Sequence, residues 1–239
     1  MKILLLGYGK MGKTIEKIAL ERGHTIVGRI DLSNREEMDT LKTGDVDAAI
    51  EFSSPESAFE NIIYCLKKGW PVVSGTTGWL EHRSEIERIC REQNGAFFYA
   101  SNYSIGVNLF FRLNRQLARL MNGHAYQSAM TEIHHIHKLD APSGTAITLA
   151  EGIIAETETL DGWKLAPDEE EGYLQITSLR EGEVPGTHIV RYESEVDTIE
   201  ISHTAHSRGG FALGAVISAE WLPGREGVFG MDDLLKNLD

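Results

Sequence analysis

Three histidines and a lysine fall within five residues in the run Glu132-Ile133-His134-His135-Ile136-His137-Lys138-Leu139-Asp140-Ala141-Pro142-Ser143-Gly144-Thr145-Ala146. Imidazole changes charge near neutrality, its unperturbed pKa being about 6.5, so such a run suits proton transfer in either direction. Lys138 adds a cation that can hold a carboxylate or protonate a developing anion. A metal centre is the competing chemistry. If Met130 to His137 is a strand, however, His135 and His137 share one face and His134 the other. The three then cannot converge on one ion without a bend, and no metal site is expected. A solvated strand edge is the bland alternative. Ser143-Gly144-Thr145 opens a helix whose apolar face carries Ile147, Ala150 and Ile154. A helix start of small residues leaves N–H groups free for an anion, here a substrate carboxylate. Arg208 closes the polar segment from His203 and can clamp a second carboxylate through its fork of donors.

A second constellation lies at the other end of the chain. Lys2 to Leu6 is a short apolar run that fits a strand covered on both faces, and Gly7-Tyr8-Gly9-Lys10-Met11-Gly12 follows at once. Met11, Ile15, Ile18 and Ala19 recur at helical spacing until Gly23, and His24 to Ile30 resumes strand chemistry and ends in Asp31. This is a complete strand-helix-strand unit holding a dinucleotide fingerprint. Gly7 permits the tight turn, Gly9 admits the pyrophosphate, Gly12 lets helix and strand pack, and Asp31 is placed to accept the adenosine ribose hydroxyls. Asp31 would repel a 2′-phosphate, while Lys10, Arg29 and Arg35 offer compensation, so NADH and NADPH both stay open. Asp47 to Phe52 and Pro71 to Val73 read as further strands, leading into Ser53-Ser54-Pro55 and Ser74-Gly75-Thr76-Thr77-Gly78. Ligands of such sheets sit beyond the strands' C-terminal ends, so Thr76 and Thr77 can bond a ribose or carboxamide. A last strand, Ala96 to Ala100, runs into Ser101-Asn102-Tyr103-Ser104 at the same rim.

These sites require two supports. The fold expected is α/β: a Rossmann-type doubly wound parallel-sheet domain over residues 1–103, completed by the C-terminal segment 209–239. An α+β domain with a mixed sheet over 104–208 would bind substrate and form the oligomer. Within the latter, Asn108 to Met121 reads as a helix with Leu109, Phe110, Leu113, Leu117 and Leu120 on its apolar side. Tyr173 to Ile201 alternates as strands, His188 taking no role, and Phe211 to Trp221 reads as a largely apolar helix returning to the first domain.

Composition narrows the partners. The chain has 239 residues, 41% of them hydrophobic, and a formal charge of −13. That charge disfavours nucleic acid and anionic membranes, whose binding draws on Lys and Arg. Cys65 and Cys90 lack any metal-ligand or redox spacing and read as buried thiols in a reducing compartment. The apolar run at Met1 stops after Leu6, short of the roughly 7–15 residues of a secretory core. A cytoplasmic location is expected.

In order along the chain, Gly7-Tyr8-Gly9-Lys10-Met11-Gly12, Gly75-Thr76-Thr77-Gly78, Ser101-Asn102-Tyr103-Ser104 and above all the His134 to Ala146 run closely resemble the 4-hydroxy-tetrahydrodipicolinate reductase family, also called dihydrodipicolinate reductase. The resemblance implies reduction of a small cyclic dicarboxylate imine on the lysine and diaminopimelate route, with NADH or NADPH, by a homotetramer. It implies His134 as acid/base catalyst and Lys138 as proton donor. His135, Gly144 and Thr145 would hold substrate, and Gly75 to Thr77 with Ala100, Ser101, Asn102 and Tyr103 would line the nicotinamide. Tyr8 and Lys10 stand where the family commonly has small and arginine residues, and no arginine directly follows Asp31. Read without the resemblance, the residues also admit a dehydrogenase for a related amino-acid precursor, a non-catalytic NADH-binding redox sensor, or a metal-dependent hydrolase built on the histidines.

Overall fold

The computed structural model describes residues 1–207 and 209–236, and the chain divides into two compact units, Met1–Ile105 with Gly209–Asp239, and Gly106–Arg208.

The first unit begins β1 (Lys2–Leu6), α1 (Lys10–Glu21), β2 (Thr25–Ile30), β3 (Ala48–Glu51), α2 (Pro55–Lys67), β4 (Val72–Ser74), α3 (Arg83–Glu92) and β5 (Ala96–Tyr99). The second unit holds α4 (Ile105–Met121), β6 (Gln127–His134), α5 (Gly144–Ile154), β7 (Gly162–Leu165), β8 (Tyr173–Arg180), β9 (Thr187–Glu193) and β10 (Thr198–Thr204). The chain then returns to the first with α6 (Gly209–Trp221), β11 (Gly227–Phe229) and α7 (Met231–Leu235).

In the first unit the strands form one parallel sheet in the order β11-β5-β4-β3-β1-β2. β1 shows why it is central. Successive side chains of a strand point to opposite faces, and both faces here are covered. Ile3 and Leu5 pack towards Ile15 and Ala19 of α1 and Ala212, Ala215 and Ala219 of α6. Leu4 and Leu6 pack towards Ala58 and Ile62 of α2 and Ile86 of α3. The chain reverses its direction of winding between β1 and β3, and Gly7 lies at that switch point. Cys65 and Cys90 are both buried and unbridged, and burial pushes both thiols up.

In the second unit a mixed sheet runs β10-β9-β6-β8-β7, antiparallel across β10, β9 and β6 and parallel across β6, β8 and β7. Met130, Leu174, Ile176, Val190 and Tyr192 pack on Phe110, Ala118 and Met121 of α4 and Leu149, Ala150 and Ile153 of α5. Asn114, buried, donates to the Leu149 carbonyl at 2.9 Å and ties the two helices together.

Three local expectations change here. The strand expected over Met130 to His137 runs from Gln127 to His134, so His135 and His137 belong to the following turn rather than to a strand face. On α4 the buried positions are Val107, Phe110, Asn114, Ala118 and Met121, whereas Leu109, Leu113 and Leu120 are exposed. Counting leucines misplaced that face, because it includes the polar Asn114 and the small Ala118, neither of which a search for large apolar residues finds. β7 has no counterpart in the sequence reading: its four residues are all half-buried at a sheet edge and show no alternation.

Candidate active site

The glycine turn of the first unit is built by close approach. Gly7 has φ +92°, and a Cβ there would lie 2.0 Å from the Phe52 carbonyl oxygen; a Cβ on Gly12 would lie 2.2 Å from the Gly7 oxygen. Any side chain at either position would separate β1 from β3 or from α1. Gly9 differs, since a Cβ there would meet nothing within 4 Å. Gly9 is also the N-cap of α1 and supplies no side-chain cap, so the first N–H groups of the helix face open space. Open backbone, free donors and a helix dipole fit a pyrophosphate.

Asp31 follows β2 at the same rim and is exposed. Its carboxylate accepts from the Ser33 hydroxyl at 2.7 Å and the Ser33 N–H at 2.8 Å, bonds that hold its pKa below the usual range. Both arginines considered for a 2′-phosphate are engaged elsewhere. Arg29 donates to Glu16, which also accepts from the Tyr8 hydroxyl, and Arg35 pairs with Glu60 at 3.5 Å. Lys10 and Met11 lie in the first turn of α1.

The other rim loops converge on a residue that the sequence reading passed over. Glu51, at the end of β3, is fully buried. It accepts from the Ser53 N–H at 2.9 Å, the Ser74 hydroxyl at 2.6 Å, the Thr76 hydroxyl at 2.8 Å and the Ser53 hydroxyl. Thr76 is thus turned inward, while Thr77 is exposed and free to meet a ligand. Gly75 lies against Phe52, whose ring a Cβ would enter at 2.2 Å. The Tyr103 side chain is also committed: it is buried and donates to the Ser74 carbonyl at 2.7 Å, while its own carbonyl packs against Gly214 of α6. Ala100 is buried, Ser101 is exposed, and Asn102 Oδ1 accepts from the Ser104 N–H at 2.9 Å.

In the second unit His134 ends β6 and is only 7% exposed. Alternation puts Glu132 on the same face, and Glu132 Oε2 lies 3.4 Å from His134 Nδ1. Strand register brings His188 opposite Glu132 on one side and Ser178 opposite it on the other, with Arg180 opposite His134. His188, given no role from sequence, therefore stands edge-on to His134, with ring centroids 5.1 Å apart. Glu132 takes the Ser143 N–H at 3.1 Å and the Ser178 hydroxyl at 2.7 Å, and Arg180 approaches to 3.6 Å. Burial alone would raise the Glu132 pKa, but these hydrogen bonds outweigh it and hold the carboxyl below its usual range. Burial pushes His134 down, Glu132 opposing and Lys138 and Arg180 reinforcing, so the ring is neutral at pH 7.

Lys138 lies in the turn after β6, its ammonium donating to both Asp140 oxygens at 2.8 and 2.9 Å. Ser143 caps α5 by accepting the Ala146 N–H at 3.2 Å, which leaves Gly144 and Thr145 at an open helix start. His135 is half-buried with an unpartnered Nδ1, and His137 pairs with Glu183 at the surface, 3.3 Å away. Arg208 lies outside the described residues. Among the described residues, Glu132, His134 and His188 bring donor atoms within 4.8 Å of one another, as a metal would require. Yet the Glu132 oxygens already accept two neutral donors and face a guanidinium, an environment suited to moving protons rather than holding a second cation. A separate cavity of about 850 Å³ in this unit contains none of these groups, and its cations Lys164 and Arg191 are paired with Glu170 and Glu193.

A parallel sheet of this order, with its glycine turn at the switch point and a second unit bearing proton-transfer groups, defines a nucleotide-binding oxidoreductase of the Rossmann type. The N-terminal model of dihydrodipicolinate reductase matches residues 1–103 and the C-terminal model residues 106–235. The chain belongs to the dihydrodipicolinate reductase family. It is 51% identical over 241 residues to 4-hydroxy-tetrahydrodipicolinate reductase of Christiangramia forsetii, covering 100% of this chain and 99% of that one. Dipicolinate-bound dihydrodipicolinate reductase from Paenisporosarcina sp. TG-14 has the same fold, with TM-score 0.81 at 20% identity over 98% of this chain and 99% of that one. A probable dehydrogenase from Thermotoga maritima is more distant in fold, with TM-score 0.57 at 11% identity over 98% and 92% of the two chains. Among the described residues no helix is long and apolar enough to cross a membrane.

Proposed function

We propose that this chain reduces 4-hydroxy-tetrahydrodipicolinate to tetrahydrodipicolinate with NAD(P)H, in lysine and diaminopimelate biosynthesis. The observation that carries this reading is the junction at Glu132. It ties the neutral His134 ring to the open start of α5 through the Ser143 N–H, with Lys138 in the adjoining turn.

The dinucleotide supplies the hydride when bound. Gly7 to Gly12 and the free N–H groups of α1 hold its pyrophosphate, Asp31 its ribose, and Gly75, Thr77 and the backbone from Ala100 to Tyr103 its nicotinamide end. NADH is the preferred form: Asp31 repels a 2′-phosphate and Arg29 is paired with Glu16, which leaves Lys10 and the solvent-exposed Arg35 as partial compensation among the described residues. The substrate is a small dicarboxylate. One carboxylate is received by the N–H groups of Gly144 and Thr145 beside His135, and the other by Arg208. The 4-hydroxyl leaves the ring as water, and the negative charge that hydride addition puts on the conjugated system is met by a proton from Lys138 or His134 as it forms, which lowers the barrier more than it tightens substrate binding. Release of Lys138 from Asp140 to the substrate accompanies that step.

The protein acts as a cytoplasmic homotetramer. Thr131, Ile133, Thr177, Leu179 and Ile189 alternate with the core positions of β6, β8 and β9, and so line the sheet face opposite the one on which α4 and α5 pack among the described residues. Ile189→Asp is expected to lower the sedimenting mass.

The reading is tested by following oxidation of NADH and NADPH at the nicotinamide absorbance while a synthase generates the substrate from pyruvate and aspartate semialdehyde. Substrate-dependent oxidation is expected, and each of Lys138→Ala and His134→Ala should lower it by roughly 10²-fold or more. Tight NADH binding without turnover would replace the reductase with a sensor.

A further inference from the structure

Glu132 is a fully buried carboxylate that in the reading above neither binds substrate nor transfers a proton. Its surroundings leave little of it unexplained except one edge. The Ser143 N–H reaches both oxygens at 3.1 Å, the Ser178 hydroxyl reaches Oε1 at 2.7 Å, and Arg180 stands 3.6 Å from Oε1. What remains is the Oε2 edge, which faces His134 Nδ1 at 3.4 Å and His188 Nε2 at 3.8 Å. His188 itself is buried, and its Nε2 lies 3.2 Å from the Ser143 hydroxyl, so it walls the carboxylate from water.

His134 Nδ1 is buried and makes no hydrogen bond in this state. A neutral imidazole must carry its proton on one nitrogen, and a buried N–H left without an acceptor is costly. At Nδ1 the acceptor within reach is Glu132. At Nε2 the neighbour is Gly186, where a Cβ would lie only 3.0 Å away, so the missing side chain keeps that nitrogen clear. The two nitrogens therefore have different neighbours, a carboxylate at Nδ1 and the side-chain-free Gly186 at Nε2. Which nitrogen exchanges protons follows from the bond the other one makes.

We infer that Glu132 is a positioning residue: it fixes the Nδ1–H tautomer of His134, leaves Nε2 to exchange protons, and ties the ring to the start of α5 through Ser143. The inference rests on the reading of His134 as the acid/base group. The charged and titratable groups facing His134 are Glu132 on β6, Arg180 on β8, His188 on β9, and Lys138 and Asp140 in the turn. Of these Glu132 is the chief one that favours a positive ring, so loss of its charge must push His134 further down.

The test uses the full chain labelled with ¹⁵N at histidine, with His134→Gln assigning the signal. Long-range ¹H–¹⁵N correlation across a pH series then reads tautomer and pKa without any turnover. The wild type should show Nδ1–H. Glu132→Gln should move the ring towards Nε2–H and lower its pKa, and shift the acidic limb of kcat/KM to lower pH. It should also cut kcat by about tenfold or more with KM for NADH unchanged, since a wrong tautomer is costly in triads of this kind. Glu132→Asp should recover part of the loss. If Glu132→Gln does not fold, Ser178→Ala serves instead: freeing the carboxylate of one donor should raise the His134 pKa. An Nε2–H wild-type ring, or a His134 pKa and tautomer unmoved by these changes, would overturn the inference. Undiminished turnover in His134→Gln would instead overturn the acid/base reading and leave the spectroscopic result standing.

Discussion

The guanidinium of Arg180 holds the turn bearing Lys138 by its main chain, Nε donating to the Lys138 carbonyl at 3.2 Å and Nη2 to the Asp140 carbonyl at 2.6 Å. The Lys138 ammonium is thus presented from a backbone pinned at two points, while its charge rests on Asp140. Arg180→Ala should release that turn. Loss of two charge-assisted bonds corresponds to roughly tenfold or more in kcat/KM if Lys138 is the proton donor. Arg180→Lys keeps the charge but not the fork, and is expected to restore little. Steady-state rates with NADH binding as control decide this; full recovery with lysine would show that only the charge beside Glu132 matters.

Cofactor choice is addressed at Asp31. Asp31→Ser replaces the carboxylate proposed to accept the ribose hydroxyls with a shorter, neutral group and removes its repulsion of a 2′-phosphate. KM for NADH should rise, the NADPH-to-NADH ratio of kcat/KM should increase about tenfold, and kcat at saturation should barely move. A further gain is expected in Asp31→Ser with Glu16→Gln, because Arg29 is then freed from its partner. An unchanged ratio in both variants would mean that the adenosine ribose lies elsewhere.

What could be read from sequence was whatever is local. The strand, turn and helix from Lys2 to Glu21 declare themselves through an unbroken apolar run, three glycines and helical spacing within one short stretch. Alternation likewise places Glu132 and His134 on one face. What lies across from them is set by register between strands distant in sequence, and nothing in the chain between Glu132 and His188 encodes that pairing locally. The same holds for Arg180 opposite His134 and for Glu16, which takes Arg29 away from the cofactor rim. A buried acid such as Glu51 does leave a signal. A carboxylate at the end of an apolar strand, followed by Ser53 and faced by Ser74 and Thr76, is a hub for its own rim loops.

That hub makes a prediction of its own. Glu51→Ala deletes the common acceptor of Ser53, Ser74 and Thr76 and opens a cavity at the sheet rim. A loss of about 3 kcal/mol is expected, the scale for removing a buried acceptor from several donors. NADH affinity should fall as well, because the loops after β3 and β4 lose their shared anchor. Urea unfolding and NADH titration separate the two effects; weaker folding with intact affinity would make Glu51 purely a stabilising residue.

His188 adds a pH dependence to stability. Burial pushes its pKa down to about 4, with His134 adding to the effect, so the folded protein keeps this ring neutral well below the point at which a free imidazole charges. The unfolded chain takes up that proton near pH 6.5 and the folded chain does not, so stability falls as pH drops from about 6.5 towards 4 and is unaffected by this group above that window. The full difference corresponds to roughly 3 kcal/mol. Glu16, Glu132 and Glu220, whose pKa values are lowered in the fold, also lose stability as pH falls, but in the carboxylate range at the acid end of this window and below. His134 and His203, which burial also pushes down, lose stability in the same window, so urea midpoints at pH 7, 6 and 5 read the three rings together and the share of His188 is the difference between wild type and variant. His188→Gln should flatten the slope between pH 6 and 5, even if it lowers stability at pH 7 by releasing Ser143. Equal slopes in wild type and variant would mean that His188 charges inside the fold against Glu132, and that the carboxylate serves two rings rather than one.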